Sequence, residues 1–269
     1  MKKLFIITTA VILIYACSPK PYGATNKVYR NHSKELSKQL RLQPEDPIND
    51  TIRQPQYWVG TTNFNLRKPS FVIIHHTAQN SCDQTLGTFT TPKSAVSAHY
   101  VICKDGTVHH MLNDYLRAAH AGVSRWGNLI DINSSSIGIE LDNTGFEPFD
   151  SLQINSLISL LSRLKKDYSI STANFIGHGD IAPTRKNDPN YRFPWKKLAG
   201  KGFGLWFDEA RDTVPSGFNH IQALRIVGYD IKDTTAAIRS FKRHFLQDTT
   251  KSINDIDRSV LYNLQKKYM

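Results

Sequence analysis

The sequence is poor in cysteine, in long apolar runs and in acidic residues to balance its lysines and arginines. Three cysteines allow at most one internal disulfide. The one strongly apolar run, Leu4 to Ala16, is short of the roughly 20 residues that a bilayer-spanning helix needs. Asp and Glu number 23 against 34 Lys and Arg, which leaves a formal charge of +11. Nucleic acid is not the expected partner, because the basic residues are scattered and no basic motif interleaved with aromatics occurs. The charge is either a generally cationic surface or an attraction for a polyanion such as anionic lipid or an acidic wall. The short zinc signature His-Glu-x-x-His is also absent, so any metal site must gather ligands from distant parts of the chain. What is present is ordinary for a globular protein: 40% hydrophobic and 21% charged residues over 269 positions. That excludes a fibrous or wholly disordered chain and gives one large domain or two smaller ones.

The first residues read as an address. Met1-Lys2-Lys3 is a positive start, Leu4–Ala16 a short apolar core, and small residues follow, as in a secretory signal. Ile14-Tyr15-Ala16-Cys17 resembles a bacterial lipobox, in which the cysteine becomes the lipidated first residue of the mature chain. The expectation is a leader over 1–16, Cys17 as lipid attachment point, and a polar tether over 17–56 with a short helix near Ser33–Arg41. Cys82 and Cys103 then remain. An exported protein could pair them, or they could be buried free thiols, and the spacing leaves both open.

Ser70–Thr77, SFVIIHHT, is a β-branched run ending in polar residues, which reads as a buried strand. Its two histidines point to opposite faces, so only one of His75 and His76 can reach a given site. SAVSAHYVICKDGTV, Ser94–Val108, reads as a helix end and two strands with Asp105-Gly106 as the hairpin turn. RAAHAG, Arg117–Gly122, places His120 in a loop of small residues. SIGIEL, Ser136–Leu141, alternates so that Ile137, Ile139 and Leu141 share one face and Glu140 lies on the other. Ser151–Tyr168 has helical apolar spacing. Asn174–Gly177 is a short strand that delivers His178 into the loop GHGDIAPTRKNDP, Gly177–Pro189.

His75, Glu140 and His178 at strand ends and Asp188 in a loop are the ingredients of a catalytic zinc site, which commonly uses three protein ligands and leaves a fourth position open. A glutamate beside the attacking water can act as base, and Lys186 can stabilise a developing oxyanion. From the residues alone the reaction class is metal-assisted hydrolysis of an amide or ester. Asp180 is a rival ligand, better read as a group that orders its loop. Arg185 reads as a solvated charge.

IIHHTA at 73–78, SAHY at 97–100, HAG at 120–122, SIGIEL and GHGDIAPTRKNDP, in this order, resemble the zinc-dependent N-acetylmuramoyl-L-alanine amidases of type 2, and most closely their outer-membrane lipoprotein members. The resemblance covers roughly 57–205. It implies an α/β fold, a central mixed sheet flanked by helices, shared with peptidoglycan recognition proteins. It implies hydrolysis of the amide between N-acetylmuramic acid and the L-alanine of the stem peptide in peptidoglycan or muropeptides. It implies Zn²⁺ on His75, His178 and Asp188, with Glu140 and Lys186 catalytic and His120 lining the substrate groove; Tyr100 is also expected at the groove, and His99 reads as structural or groove-lining rather than a ligand. Ala119 stands where that family usually has tryptophan, which leaves substrate preference open. After Trp206, helix-like stretches at Phe218–Val227, Thr234–His244 and Asp255–Lys267 resemble the small three-helix wall-binding module that often follows such enzymes. The expected division is an enzyme domain over 57–206 and a helical domain over 207–269, in a monomeric chain held at a bacterial envelope membrane. Two other classes stay open: a non-catalytic receptor on the same fold, and a zinc peptidase or small-amide hydrolase.

Overall fold

The computed structural model describes residues 21–42, 59–210 and 212–269. The expected leader, Cys17 and all of 43–56 lie outside the described residues. The chain divides into two compact units, Met1–Phe64 and Asn65–Met269.

In the first unit, α1 runs Gly23–Gln39 with no buried residue. It begins ten residues before the short helix expected near Ser33. No proline or glycine follows Gly23 until after Gln39, so nothing interrupts the helix once started. Among the described residues no helix is long and apolar enough to cross a membrane.

The second unit is built on β1 (Phe71–His76), β2 (Tyr100–Ile102), β3 (Val108–His110), β4 (Ser136–Leu141) and β5 (Phe175–Gly177). Their order is β3-β2-β4-β1-β5. β2, β4, β1 and β5 are mutually parallel, and β3 closes one edge antiparallel to β2. The parallel strands are covered on both faces, which is why their sequences read as nearly continuous apolar runs.

One face carries Val72, Ile74, Tyr100, Ile102, Ile137, Ile139, Leu141 and Phe175. Against it lies α3 (Ser151–Tyr168), which follows α2 (Cys82–Phe89) in the chain. Ile154, Leu157, Leu160, Leu161 and Leu164 of α3 recur at helical spacing and are buried there. Gln153 is buried among them, and its amide donates to the carbonyls of Ile102 (2.9 Å) and Asp142 (3.1 Å).

The other face presents Ile73 and Ile176, which join a second core with the C-terminal helices. After the one-turn α4 (His178–Ile181) and α5 (Trp195–Ala199) come α6 (His220–Val227), α7 (Thr234–Leu246) and α8 (Asp255–Tyr268). Leu224, Val227, Phe241, Phe245, Leu261 and Leu264 fill that core. Gly228 ends α6 at φ 129°, and a Cβ there would lie 2.4 Å from the Trp126 ring. Both the backbone angle and the ring require glycine.

Cys82, at the start of α2, and Cys103, just after β2, form a disulfide with a Cα–Cα distance of 5.4 Å across a separation of 21 residues. Of the two readings left open by the sequence, the structure takes pairing. The bridge fastens α2 to the sheet. Loop-closure entropy for a loop of this length predicts that replacing both cysteines by serine lowers the unfolding free energy by about 3 kcal/mol. Urea unfolding of the double variant beside the parent measures it; an unchanged midpoint would show that α2 is held by other contacts.

Candidate active site

The C-terminal ends of the central parallel strands converge. His75 sits opposite Glu140 in the β1–β4 register, and Ile74 opposite Gly177 of β5. The next residue, His178, opens α4, and its side chain meets that of His75. The Nδ1 atoms of His75 and His178 lie 2.9 Å apart. Asp188 Oδ2 is 3.1 Å from the first and 3.0 Å from the second. All three side chains are buried. The loop expected to present Asp188 is held to the helix turn by Gly179, whose N–H donates to the Asp188 carbonyl at 2.6 Å.

The hydrogen bonds behind the histidines fix their tautomers. Ser136 Oγ donates to the Ile132 carbonyl at 2.7 Å. It is left to accept from His120 Nε2, 3.1 Å away. His120 Nδ1 then accepts from His75 Nε2 at 3.0 Å. His75 therefore turns the lone pair of Nδ1 toward Asp188. His178 Nε2 likewise donates to the Ala121 carbonyl at 3.0 Å, which frees its Nδ1 lone pair. Three lone-pair atoms thus face one another in a buried space. Burial, and next the nearby His178, lower the His75 pKa to about 4, so His75 does not relieve the conflict by protonation near neutral pH.

A cation does relieve it. Tetrahedral zinc with bonds of about 2.0–2.2 Å to N and O places its ligand atoms roughly 3.3–3.5 Å apart. The observed triangle is near that size, and its donors, two imidazole nitrogens and a carboxylate oxygen, are the types zinc prefers in hydrolytic sites. The residues present fit the ion.

Glu140 stands beside this triangle, its Oε1 4.0 Å from His75 Nδ1 and its side chain 12% exposed. Oε2 is buried with no hydrogen-bond partner. Burial, and next the Asp188 charge, push its carboxyl up to about 8. For Asp188, burial acts upward, and the downward pull of His178 and His75 needs a proton on one of their Nδ1 atoms, which these tautomers do not supply. A cleft of about 350 Å³ opens over these groups, lined also by Lys186, Arg185, Asn187, Ala119, Val96 and Phe89. Lys186 is exposed at its rim.

The expectation that Tyr100 and His99 line the groove is corrected. Tyr100 does not reach the cleft: it is 1% exposed, points into the α3-side core, and donates its hydroxyl to Asp114 Oδ1 at 2.6 Å. Of the two readings of His99, structural or groove-lining, the structure takes the first: it is 0% exposed, Nδ1 accepts from Gly138 N–H and Nε2 donates to the Leu116 carbonyl, so both nitrogens are committed to backbone. His120 borders the cleft from behind His75 and is 8% exposed. Gly138 is what lets it in, since a Cβ there would lie 2.4 Å from the His120 ring. Arg185 is exposed, as a solvated charge would be, and also donates to the Val123 carbonyl, at 3.1 Å from Nε, and to that of Ala121, clamping the ligand loop to the His120 loop. His76 points to the opposite face, where Nδ1 accepts from Asn190 N–H at 3.1 Å. Ser136 and Asn133, whose Oδ1 accepts from the backbone N–H of His120 and Ala121, were not singled out in the sequence, where no local pattern marks them.

A family model for N-acetylmuramoyl-L-alanine amidase matches residues 65–191, which include all of these side chains. The N-acetylmuramoyl-L-alanine amidase AmiD of Escherichia coli is 32% identical over 65% of this chain and 74% of its own. The 1,6-anhydro-N-acetylmuramyl-L-alanine amidase AmpD of Haemophilus influenzae is 39% identical over 38% of this chain and 56% of its own. Among solved structures, Escherichia coli AmiD in complex with the substrate anhydro-N-acetylmuramic acid-L-Ala-D-γ-Glu-L-Lys superposes with a TM-score of 0.68 at 29% identity, covering 82% of this chain and 95% of that one. AmpDh3 of Pseudomonas aeruginosa gives a TM-score of 0.70 at 28% identity, over 81% and 98%.

The raised Glu140 carboxyl sets a pH signature for the metal-free protein. The folded state keeps this proton up to about 8, whereas the unfolded chain releases it near the ordinary glutamate value of 4.5. Stability therefore falls as pH rises through that window, because the folded state binds the proton more tightly. With chelator present, urea unfolding from pH 5 to 8 should show this decline in the parent and a flatter profile in Glu140→Gln. Parallel profiles would mean that the carboxyl is not desolvated.

Proposed function

Because the chain belongs to the N-acetylmuramoyl-L-alanine amidase family, we propose that it hydrolyses the amide joining the lactyl group of N-acetylmuramic acid to the L-alanine of a peptidoglycan stem peptide. The observation that carries this reading is the buried triangle of His75, His178 and Asp188, with Glu140 at 4.0 Å, under an open cleft.

His75 Nδ1, His178 Nδ1 and Asp188 Oδ2 would hold a zinc ion. When bound, it supplies Lewis acidity that makes water a competent nucleophile near neutral pH. The chain's own groups do the rest. Glu140, close to the triangle and free of other partners, takes the proton as water adds to the lactyl carbonyl carbon. Negative charge then builds on the carbonyl oxygen, and Lys186 at the rim provides the opposing charge. The carbon–nitrogen bond breaks as Glu140 passes its proton to the L-alanine nitrogen. A muramic carboxylate and a free stem-peptide amine leave. The chain Ser136–His120–His75 holds the first imidazole in the tautomer this requires, and the Ala121 carbonyl does the same for His178.

The substrate proposed is peptidoglycan or a soluble muropeptide, since one similar structure holds an anhydro-muropeptide named as its substrate. The proposed division is a catalytic part over 57–206 and helices over 207–269. The lipobox-like Ile14–Cys17 supports export and lipid attachment at Cys17, with the bacterial outer membrane as site of residence. In that case Cys17→Ala shifts the chain from the membrane to the soluble fraction of expressing cells, and an unchanged distribution refutes the anchor.

Digestion of muropeptides followed by mass spectrometry tests the reaction. Stem peptides beginning at L-alanine should appear, should vanish with a zinc chelator, and should return on adding zinc. Glu140→Gln should lower kcat by about 10²–10⁴-fold while zinc stays bound. Peptides cut internally would make the protein a peptidase; bound zinc and retained wall material with no release would make it a receptor.

A further inference from the structure

The turn that carries His178 is gripped from the C-terminal helices, through an aspartate two residues on. Asp180 is 3% exposed, and its side chain folds back on its own turn. Oδ2 accepts from Gly177 N–H at 2.8 Å and from His244 Nδ1 at 2.7 Å. Oδ1 accepts from the Tyr229 hydroxyl at 3.0 Å. Ser240 Oγ donates to the Gly179 carbonyl at 2.6 Å and lies 3.3 Å from Asp180 Oδ1. Ser240 and His244 are one turn apart on α7 and so share the face that meets the site. His244 is fixed in turn by stacking on Trp195, with ring centroids 3.9 Å apart and planes at 11°. α7 and the turn press close: a Cβ on Gly179 would lie 2.7 Å from Arg243 Nη1.

This grip reaches two of the three donor atoms. His178 lies on the clamped turn itself. Asp188 hangs from the same turn through the Gly179 N–H, and Gly179 is the residue whose carbonyl Ser240 holds. Tyr229, Ser240 and His244 all lie beyond the family segment 65–191. A plain core contact would need apolar side chains here. The structure instead directs three donors, Ser240 and His244 on α7 and Tyr229 in the connection between α6 and α7, to one carboxylate and one carbonyl of the ligand-bearing turn.

We propose that Asp180, Tyr229, Ser240 and His244 are positioning residues for the metal centre, so that the C-terminal helices set the geometry of His178 and Asp188 as well as completing the core. This rests on the metal reading above. His244 holds Asp180, Asp180 caps the turn at Gly177, and the turn aims His178 Nδ1.

The test uses the whole chain carrying Tyr229→Phe, His244→Leu or His244→Asn. Zinc affinity is read by competition with a chromophoric chelator, and site geometry by the visible d–d absorption of the cobalt(II) form. Thermal unfolding of the chelated proteins gives stability separately. Tyr229→Phe and His244→Leu should each weaken zinc about tenfold or more and change the cobalt band. His244→Asn, which keeps a donor near the Nδ1 position, should recover most of both. Should His244→Leu fail to fold, Tyr229→Phe carries the test, because it removes one oxygen and no packing volume. Folded variants with parental zinc affinity and cobalt band, whatever their loss of stability, would overturn the positioning role. A parent that takes up neither ion would overturn the metal centre itself.

Discussion

Three buried lone-pair atoms brought within 2.9–3.1 Å of one another are the constraint on which this structure depends. Left alone they repel, and burial makes the repulsion worse. The protein accepts that cost on one side of its sheet and fixes it in place. Each imidazole donates its far N–H to a partner that is itself committed: His120, backed by Ser136 and Ile132, for His75, and the Ala121 carbonyl for His178. Nothing in these shells lets the rings turn away. A polar cluster this constrained serves a bound cation better than it serves the fold.

The topology explains how such a cluster can be built. β1, β4 and β5 are adjacent and parallel, so their C-terminal ends lie at one edge of the sheet, where open α/β sheets hold their ligands. Alternation then sorts the side chains. Ile74, Ile139 and Phe175 turn toward α3, whereas Ile73, His75, Glu140 and Ile176 turn the other way. The apolar members of that second set belong to the core shared with α6, α7 and α8, so the reactive groups grow from the edge of a packed layer. Rigidity and chemistry draw on the same contacts.

His75, Glu140, His178 and Asp188 were legible because strand alternation and a distinctive motif order both point to them. The mixed sheet was legible for the same reason, since β-branched runs and an Asp-Gly turn mark its strands. Tyr100 was misplaced because its face depends on register with β4, which a three-residue strand does not reveal. His99 sits on the site's face, yet its two backbone bonds close it off, and those partners are 17 and 39 residues away. The Cys82–Cys103 pair depends on a tertiary distance that spacing cannot supply. His244 was hidden most completely: on the sequence it is one more polar residue near the end of an amphipathic helix, and only its stacking on Trp195 and its bond to Asp180 give it meaning.

The electrostatics divide labour between two carboxylates that sit close together. Burial acts upward on both, and for Asp188, whose Oδ2 faces two imidazole lone pairs, a cation at the triangle is what would answer it. Glu140 has no hydrogen-bond partner on Oε2 and feels the Asp188 charge, so its carboxyl rises to about 8. Two acids in different surroundings suit separate roles, one holding charge and the other moving a proton. Asp188 is suited to ligation because its Oδ2 lies 3.1 and 3.0 Å from the two imidazole Nδ1 atoms, at the third corner of the triangle. Glu140 is suited to proton transfer because its affinity for a proton lies near working pH rather than far below it. A dication at the triangle would oppose both upward pressures. The absence of a hydrogen bond to Glu140 is therefore consistent with its part in the reaction: any fixed donor there would lower its carboxyl and weaken it as a base.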